Sequence, residues 1–267
     1  MVADERMRRH YELNDESARL WDSPRGELTR LRTWDIFDRF LPPSGRIADV
    51  GGGPGAHAAH LAALGYDVML VDLVPHHVER AASLGRDAGF RAQLADARAL
   101  PFADDVFDAV LLFGPLYHLA AAADRERALR EAHRVLRPGG RLLAEIIGRY
   151  AWLLDASWRG LLGDEANFAT FELNLRTGFS ADPARTPDHV FWAYFHHPDE
   201  VKLEASAAGF TDVRLIAVEG FPWLLGNLAE LLQDAPSLLR MIRMTEAEPS
   251  MLGISAHVMT LAAKPLA

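Results

Sequence analysis

The sequence predicts an α/β protein: a doubly wound, seven-stranded, mostly parallel sheet with helices on both faces and helical cap insertions. Three observations lead there. Short apolar runs alternate with stretches at helical spacing, as βαβ units require. A glycine-rich turn, Asp49-Val50-Gly51-Gly52-Gly53-Pro54-Gly55, joins the first of these runs to a helix. Three acids, Asp49, Asp72 and Asp96, stand at the carboxyl ends of successive strands, where open α/β sheets bind ligands.

Each element has a local reason. Residues 46–50 form the first strand. An alanine-rich helix over 54–64 follows the turn and is closed by Gly65. DVMLVD over 67–72 is the second strand, and Pro75 opens a helix over 75–88, where proline's missing N–H costs nothing. Residues 90–95 are a short third strand and FDAVLLF over 107–113 a buried fourth. An amphipathic helix over 125–136 stops at Arg137-Pro138-Gly139-Gly140, read as a turn. The fifth strand is 141–147, and 213–218 and 257–262 supply the last two. Two stretches, 148–197 and 221–255, are too long for ordinary connections and read as a cap over the strand ends or as extra packing helices. Tyr11, Trp21 and Trp34 place the N-terminal forty residues with them.

Composition narrows the function. A chain of 267 residues with 49% hydrophobic content can bury one large core, and no apolar run reaches the roughly 18 residues of a membrane span. The charged N-terminus lacks a signal-peptide pattern, so the expectation is a cytoplasmic protein without a membrane partner. Absence of cysteine excludes disulfides, thiolate metal sites and a cysteine nucleophile. A net charge of -9 argues against a nucleic-acid partner. The oligomeric state is left open.

The glycine turn alone leaves two cofactors open. Gly51, Gly53 and Ala56 satisfy G-x-G-x-x-A, and Asp72 sits near the place of a dinucleotide-binding acid. Asp49 argues the other way. A carboxylate just before the turn repels a pyrophosphate and suits a ligand that carries an ammonium and a sulfonium.

DVGGGPG, the acid of VDLVP, LADARALPF and FDAVLLFGPLYHL occur in the order and spacing of class I S-adenosylmethionine-dependent methyltransferases. The sequence resembles the subgroup related to ubiquinone and menaquinone C-methyltransferases, the methyltransferase type 11 domain, over residues 40–148 and more loosely beyond. The resemblance implies a Rossmann-like core over 41–147, completed by 198–267 with its helical insertion at 221–255. Residues 1–40 and 148–197 are then cap segments. It implies an antiparallel last strand. It also implies roles for single residues. Gly51, Gly53 and Gly55 lie against the methionine and ribose parts of S-adenosylmethionine, and Asp49 orients the amino-acid end. Asp72 accepts from both ribose hydroxyls, Leu73 packs on the adenine, Asp96 accepts from its amino group, and the Ala97 N–H meets a ring nitrogen.

Gly114-Pro115 forces a turn after the fourth strand and presents Tyr117 and His118, the two catalytic candidates. His118 either assists proton removal or hydrogen-bonds the cofactor or the N-terminal segment. Tyr11 and Phe113 are candidates for aromatic faces near the sulfonium. Arg25 is a candidate for the cofactor carboxylate or for a surface salt bridge. His76-His77 and His196-His197 are adjacent pairs that cannot converge on one ion, so no metal is expected. His10, His57, His60, His133, His189 and His257 read as structural or surface residues. Trp152, Trp158, Phe168, Phe171, Phe191, Trp192, Tyr194, Phe221 and Trp223 either line a substrate pocket or form the core of the cap. The function expected is methyl transfer to oxygen, nitrogen or carbon of a small, partly apolar metabolite. The alternatives are an NAD-dependent oxidoreductase and a non-catalytic cofactor-binding module.

Overall fold

The computed structural model describes residues 7–11, 18–181 and 193–266. Seven strands form one sheet in the order β3-β2-β1-β4-β5-β7-β6. They are β1 (Arg46–Val50), β2 (Asp67–Asp72), β3 (Arg91–Leu94), β4 (Phe107–Leu112), β5 (Leu136–Ile147), β6 (Thr211–Ala217) and β7 (His257–Ala263). β1 to β5 run parallel, and β7 is antiparallel to both β5 and β6. This is the expected doubly wound sheet. Its winding reverses between β1 and β4, so a crevice opens at their carboxyl ends.

Alternation along the strands sends side chains to two cores. Ala48 and Val50 of β1 face a cluster with Leu129, Ala132 and Val135 of helix Ala122–Val135 and Val201 of helix Pro198–Ala207. Ile47 faces the other cluster, with Ile36 and Phe37 of helix Pro24–Phe40 and Leu61 of helix Ala56–Ala63. Burying a large aliphatic side chain contributes about 1.5–3 kcal/mol, so these faces carry most of the fold's stability.

Several bounds shift by one to three residues, and one differs in kind. Arg137-Pro138-Gly139-Gly140 does not separate helix from strand but lies inside β5, whose pairing with β4 shifts between Phe107 and Ala109. Gly139 sits at φ +78 there, a conformation that favours glycine, so the same residues form a bulge where a turn was expected.

Helix Pro24–Phe40 is fastened to the sheet by charge. Ser23 caps its N-terminus by accepting from the Gly26 N–H at 3.1 Å. Arg32, fully buried, donates to the carbonyls of Val218 and Ala217 and to the carboxylates of Glu246 and Asp35. Arg39 also reaches Glu246, and Arg243 reaches Asp35. The helix, the end of β6 and the 221–255 segment thus share one ionic knot. Among the described residues no helix is long and apolar enough to cross a membrane.

Candidate functional site

The turn after β1 is shaped by what surrounds it. A Cβ on Gly51 would stand 2.4 Å from the Phe113 carbonyl oxygen, and one on Gly52 2.5 Å from Asp49 Oδ2. Gly53, at φ +55, instead has open space around it and lines the cavity beyond. Gly55 does a different job from the one expected. It caps helix Ala56–Ala63 at φ +98 and packs on Phe90, away from the cavity wall.

Asp49 lies beneath this turn, fully buried, and neither carboxylate oxygen has a hydrogen-bond partner among the described residues. Burial, reinforced by the charge of Asp72, pushes its pKa up to about 7. Asp72 ends β2 and accepts from the Gly53 N–H at 2.9 Å and the Val74 N–H at 2.8 Å. Those two bonds hold its carboxylate in place and leave lone pairs for a ligand.

Two cavities meet at Asp72, Leu73 and Gly51. The larger, about 420 Å³, runs over the glycine turn past Tyr11, Phe113, Tyr117, Glu145 and His257. The smaller, about 50 Å³, lies between Leu73, Ala95, Asp96, Ala97 and His118. Eleven of the thirteen expected site residues therefore border these spaces directly or, for Asp49, lie under their floor. Asp96 is already engaged. Arg98 clasps its carboxylate through Nε and Nη2, at 3.0 and 2.6 Å, and outweighs burial to hold its pKa below the ordinary value.

His118 is bonded through Nε2 to the Tyr11 hydroxyl at 2.8 Å, which ties the N-terminal segment to the site. Burial pushes its pKa down to about 3. Its imidazole is thus neutral near pH 7 and a weak base, and the contact the structure gives it is the hydrogen bond to Tyr11.

Arg25 is not brought to the site. It pairs with Asp155 at 2.6 Å, donates to the Trp223 carbonyl at 3.0 Å, and lies between the Trp158 and Trp223 rings. Arg19, which sequence reading passed over, lines the large cavity instead. Of the two readings of the aromatic set, the described residues follow the packing one. None of its described members lines that cavity, because Trp152, Phe168 and Phe171 pack on one another and Trp223 packs with Leu28 and Leu238. Phe191, Trp192 and His189 lie outside the described residues.

The far wall holds the groups that sequence reading missed. Glu145 on β5 and His257 on β7 are diagonal neighbours on one sheet face, since Glu145 pairs with Met259 and Ile147 with His257. Behind them Glu219, itself buried, accepts from His257 Nδ1 at 2.7 Å, the His257 N–H at 3.0 Å, and the hydroxyls of Thr29 and Ser255. An acid inside the apolar run RLLAEII was the one available signal.

Residues 48–144 match the family model described as a methyltransferase domain. The methyltransferase GfsG of Streptomyces halstedii is 36% identical over 133 residues, 47% of each chain. A probable tRNA methyltransferase 9B of Homo sapiens is 30% identical over 132 residues, 46% of this chain and 26% of that protein. The chain thus spans half or less of the length of these relatives. The ubiquinone/menaquinone biosynthesis C-methyltransferase UbiE of Pectobacterium carotovorum is 30% identical over 191 residues, 66% of this chain and 70% of that one. The chain belongs to the class I S-adenosylmethionine-dependent methyltransferases. A solved methyltransferase from Methanosarcina mazei shares the fold of this one, with a TM-score of 0.59 and 21% identity over 87% of this chain and 98% of that chain.

Membership sets aside the dinucleotide reading of the glycine turn, and the cofactor of this methyltransferase is S-adenosylmethionine. The residues present fit it. The partnerless carboxylate of Asp49 calls for positive charge above the turn, and the open side of Gly53 leaves room for a ligand against the backbone. Among the described residues no three His, Cys, Asp or Glu side chains converge as a metal site would require.

Proposed function

We propose that this chain transfers the methyl group of S-adenosylmethionine to oxygen, nitrogen or carbon of a small, partly apolar metabolite. The observation that carries this reading is the buried Asp49 carboxylate, without a hydrogen-bond partner among the described residues, beneath a glycine turn that opens on a cavity of about 420 Å³. A cationic ligand above the turn relieves its desolvation. Bound there, the cofactor supplies a methyl group already activated by the sulfonium, so the chain's own task is alignment and exclusion of water.

Asp72 holds the ribose hydroxyls. Leu73 packs on the adenine, for which Asp96 and the Ala97 N–H provide an acceptor and a donor. Arg19 takes over the part expected of Arg25 and pairs with the carboxylate of the cofactor. Phe113 and Tyr11 offer aromatic faces to the sulfonium, and His118 keeps Tyr11 in place. The segments 1–40, 148–197 and 221–255 act as a cap that closes over the strand ends. The acceptor is a metabolite and not a nucleic acid, which a chain of net charge -9 would repel.

Two measurements test this. Calorimetric titration should show S-adenosylmethionine and S-adenosylhomocysteine binding, with no response to NAD. Incubation of a cell extract with methyl-labelled cofactor should place the label in the small-molecule fraction. Tight NAD binding alone would sink the cofactor assignment, and label found only in RNA would sink the acceptor class.

A further inference from the structure

The far wall of the large cavity has a composition that cofactor binding does not explain. Glu145 is 4% exposed, lines the cavity, and has no hydrogen-bond partner among the described residues. Beside it His257 also lines the cavity. Its Nδ1 is taken by Glu219, whose remaining capacity is filled by Thr29, Ser255 and the His257 main chain. A carboxylate so anchored fixes the imidazole tautomer and stabilises the imidazolium, leaving Nε2 as the free nitrogen of the ring. Carboxylate, imidazole and a second, partnerless carboxylate then converge on one side of a cavity whose other side is the glycine turn.

We propose that His257, held by Glu219, is the general base of the reaction, that Glu145 grips the acceptor beside it, and that the acceptor is a hydroxyl or amine. This rests on the methyl-transfer reading above. In the step, the lone pair of the acceptor's oxygen or nitrogen forms the new bond to the methyl carbon. The carbon–sulfur pair goes to the sulfonium sulfur, which becomes a neutral sulfide. The O–H or N–H proton passes to His257 Nε2, and the imidazolium is balanced by Glu219.

The surroundings set the base strength. Burial alone would lower the pKa of His257, but the charges of Glu219 and Glu145 and the Glu219 hydrogen bond outweigh it, with Arg19 opposing, and the net direction is up. Burial also pushes Glu145 up, with His257 and Arg19 opposing. His257 is thus a stronger base than free imidazole, whereas His118 is a far weaker one.

NMR of the whole chain tests this, following His257 Cε1–H from about pH 5 to pH 9. S-adenosylhomocysteine is bound, and p-cresol or benzylamine is then added as hydroxyl and amine probe. The expected midpoint lies above about 6.5, the ordinary imidazole value. It should fall by about one unit or more in Glu219→Gln and by less in Glu145→Gln, which spares the buried hydrogen bonds if the first variant fails to fold. A His257 signal moved by p-cresol assigns a hydroxyl acceptor, and one moved by benzylamine an amine. A midpoint at or below the ordinary value, one that neither variant moves, or a signal indifferent to both probes overturns the proposal. Loss of S-adenosylhomocysteine binding in calorimetry would instead overturn the cofactor reading on which it stands.

Discussion

Asp49 makes the sharpest claim for a single side chain. With its pKa pushed up to about 7, it is half protonated in the free chain near neutrality. A ligand ammonium above the turn favours the carboxylate, so S-adenosylhomocysteine binding at pH 7 should release about half a proton. Calorimetry in buffers of different ionisation enthalpy reads this directly, and Asp49→Asn should abolish the release. Asp72 and Asp96 invite a second comparison. Asp72 is pinned by two backbone N–H groups with acceptor capacity to spare, whereas Asp96 is shared with Arg98. Hydrogen bonds to charged groups contribute about 1.5–3 kcal/mol each, so Asp72→Ala should weaken cofactor binding tenfold to several hundredfold. Asp96→Ala should cost less, and equal small losses would place ribose and adenine elsewhere.

At the scale of elements, the ionic knot on helix Pro24–Phe40 decides whether that helix stays on the sheet. Glu246→Ala leaves the buried Arg32 with Asp35 as its one carboxylate among the described residues, and breaking a buried ion pair costs about 3–5 kcal/mol. Thermal unfolding should therefore move down by about 10 °C for a chain of this size. An unchanged melt would mean that Asp35 and the Val218 and Ala217 carbonyls suffice for Arg32. Trp223 belongs to the same layer. It packs with Leu28, donates to the Ile254 carbonyl at 2.7 Å and does not line the large cavity. Trp223→Ala should cost about 3–5 kcal/mol of stability yet leave S-adenosylhomocysteine affinity within twofold. Its place beside Trp158 around Arg25 was not legible in the sequence, because a tryptophan that packs and one that lines a pocket sit at the same helical spacing.

For the whole molecule, two buried acids bend the stability profile in opposite windows. The pKa of Asp49 is raised, so its contribution is complete below the ordinary carboxylate value of 3.8 and is lost as pH rises toward about 7. Glu219 runs the other way. Burial would raise its pKa, but the charge and hydrogen bonds of His257 pull it down to about 2, so its contribution is present above 4.5 and lost as pH falls toward 2. Denaturant midpoints should therefore peak near pH 4–5 if these two groups dominate. Saturating S-adenosylhomocysteine should flatten the upper limb, and a limb unaffected by Asp49→Asn would assign it to other groups.

What the sequence determined by itself was local or periodic. Strand alternation, the glycine turn, proline at helix starts and an acid at each strand end involve neighbours in the chain, so β1, β2 and β4 and the residues around Asp49 and Asp72 could be read directly. Tertiary structure decided whatever depended on which distant side chains meet. Arg25 and Arg19 look alike in sequence, and only the packing of Trp158 and Trp223 takes the first away from the cavity. Glu145, Glu219 and His257 are separated by dozens of residues. They converge because β7 inserts antiparallel between β5 and β6, a pairing set by the whole sheet and not by any one strand.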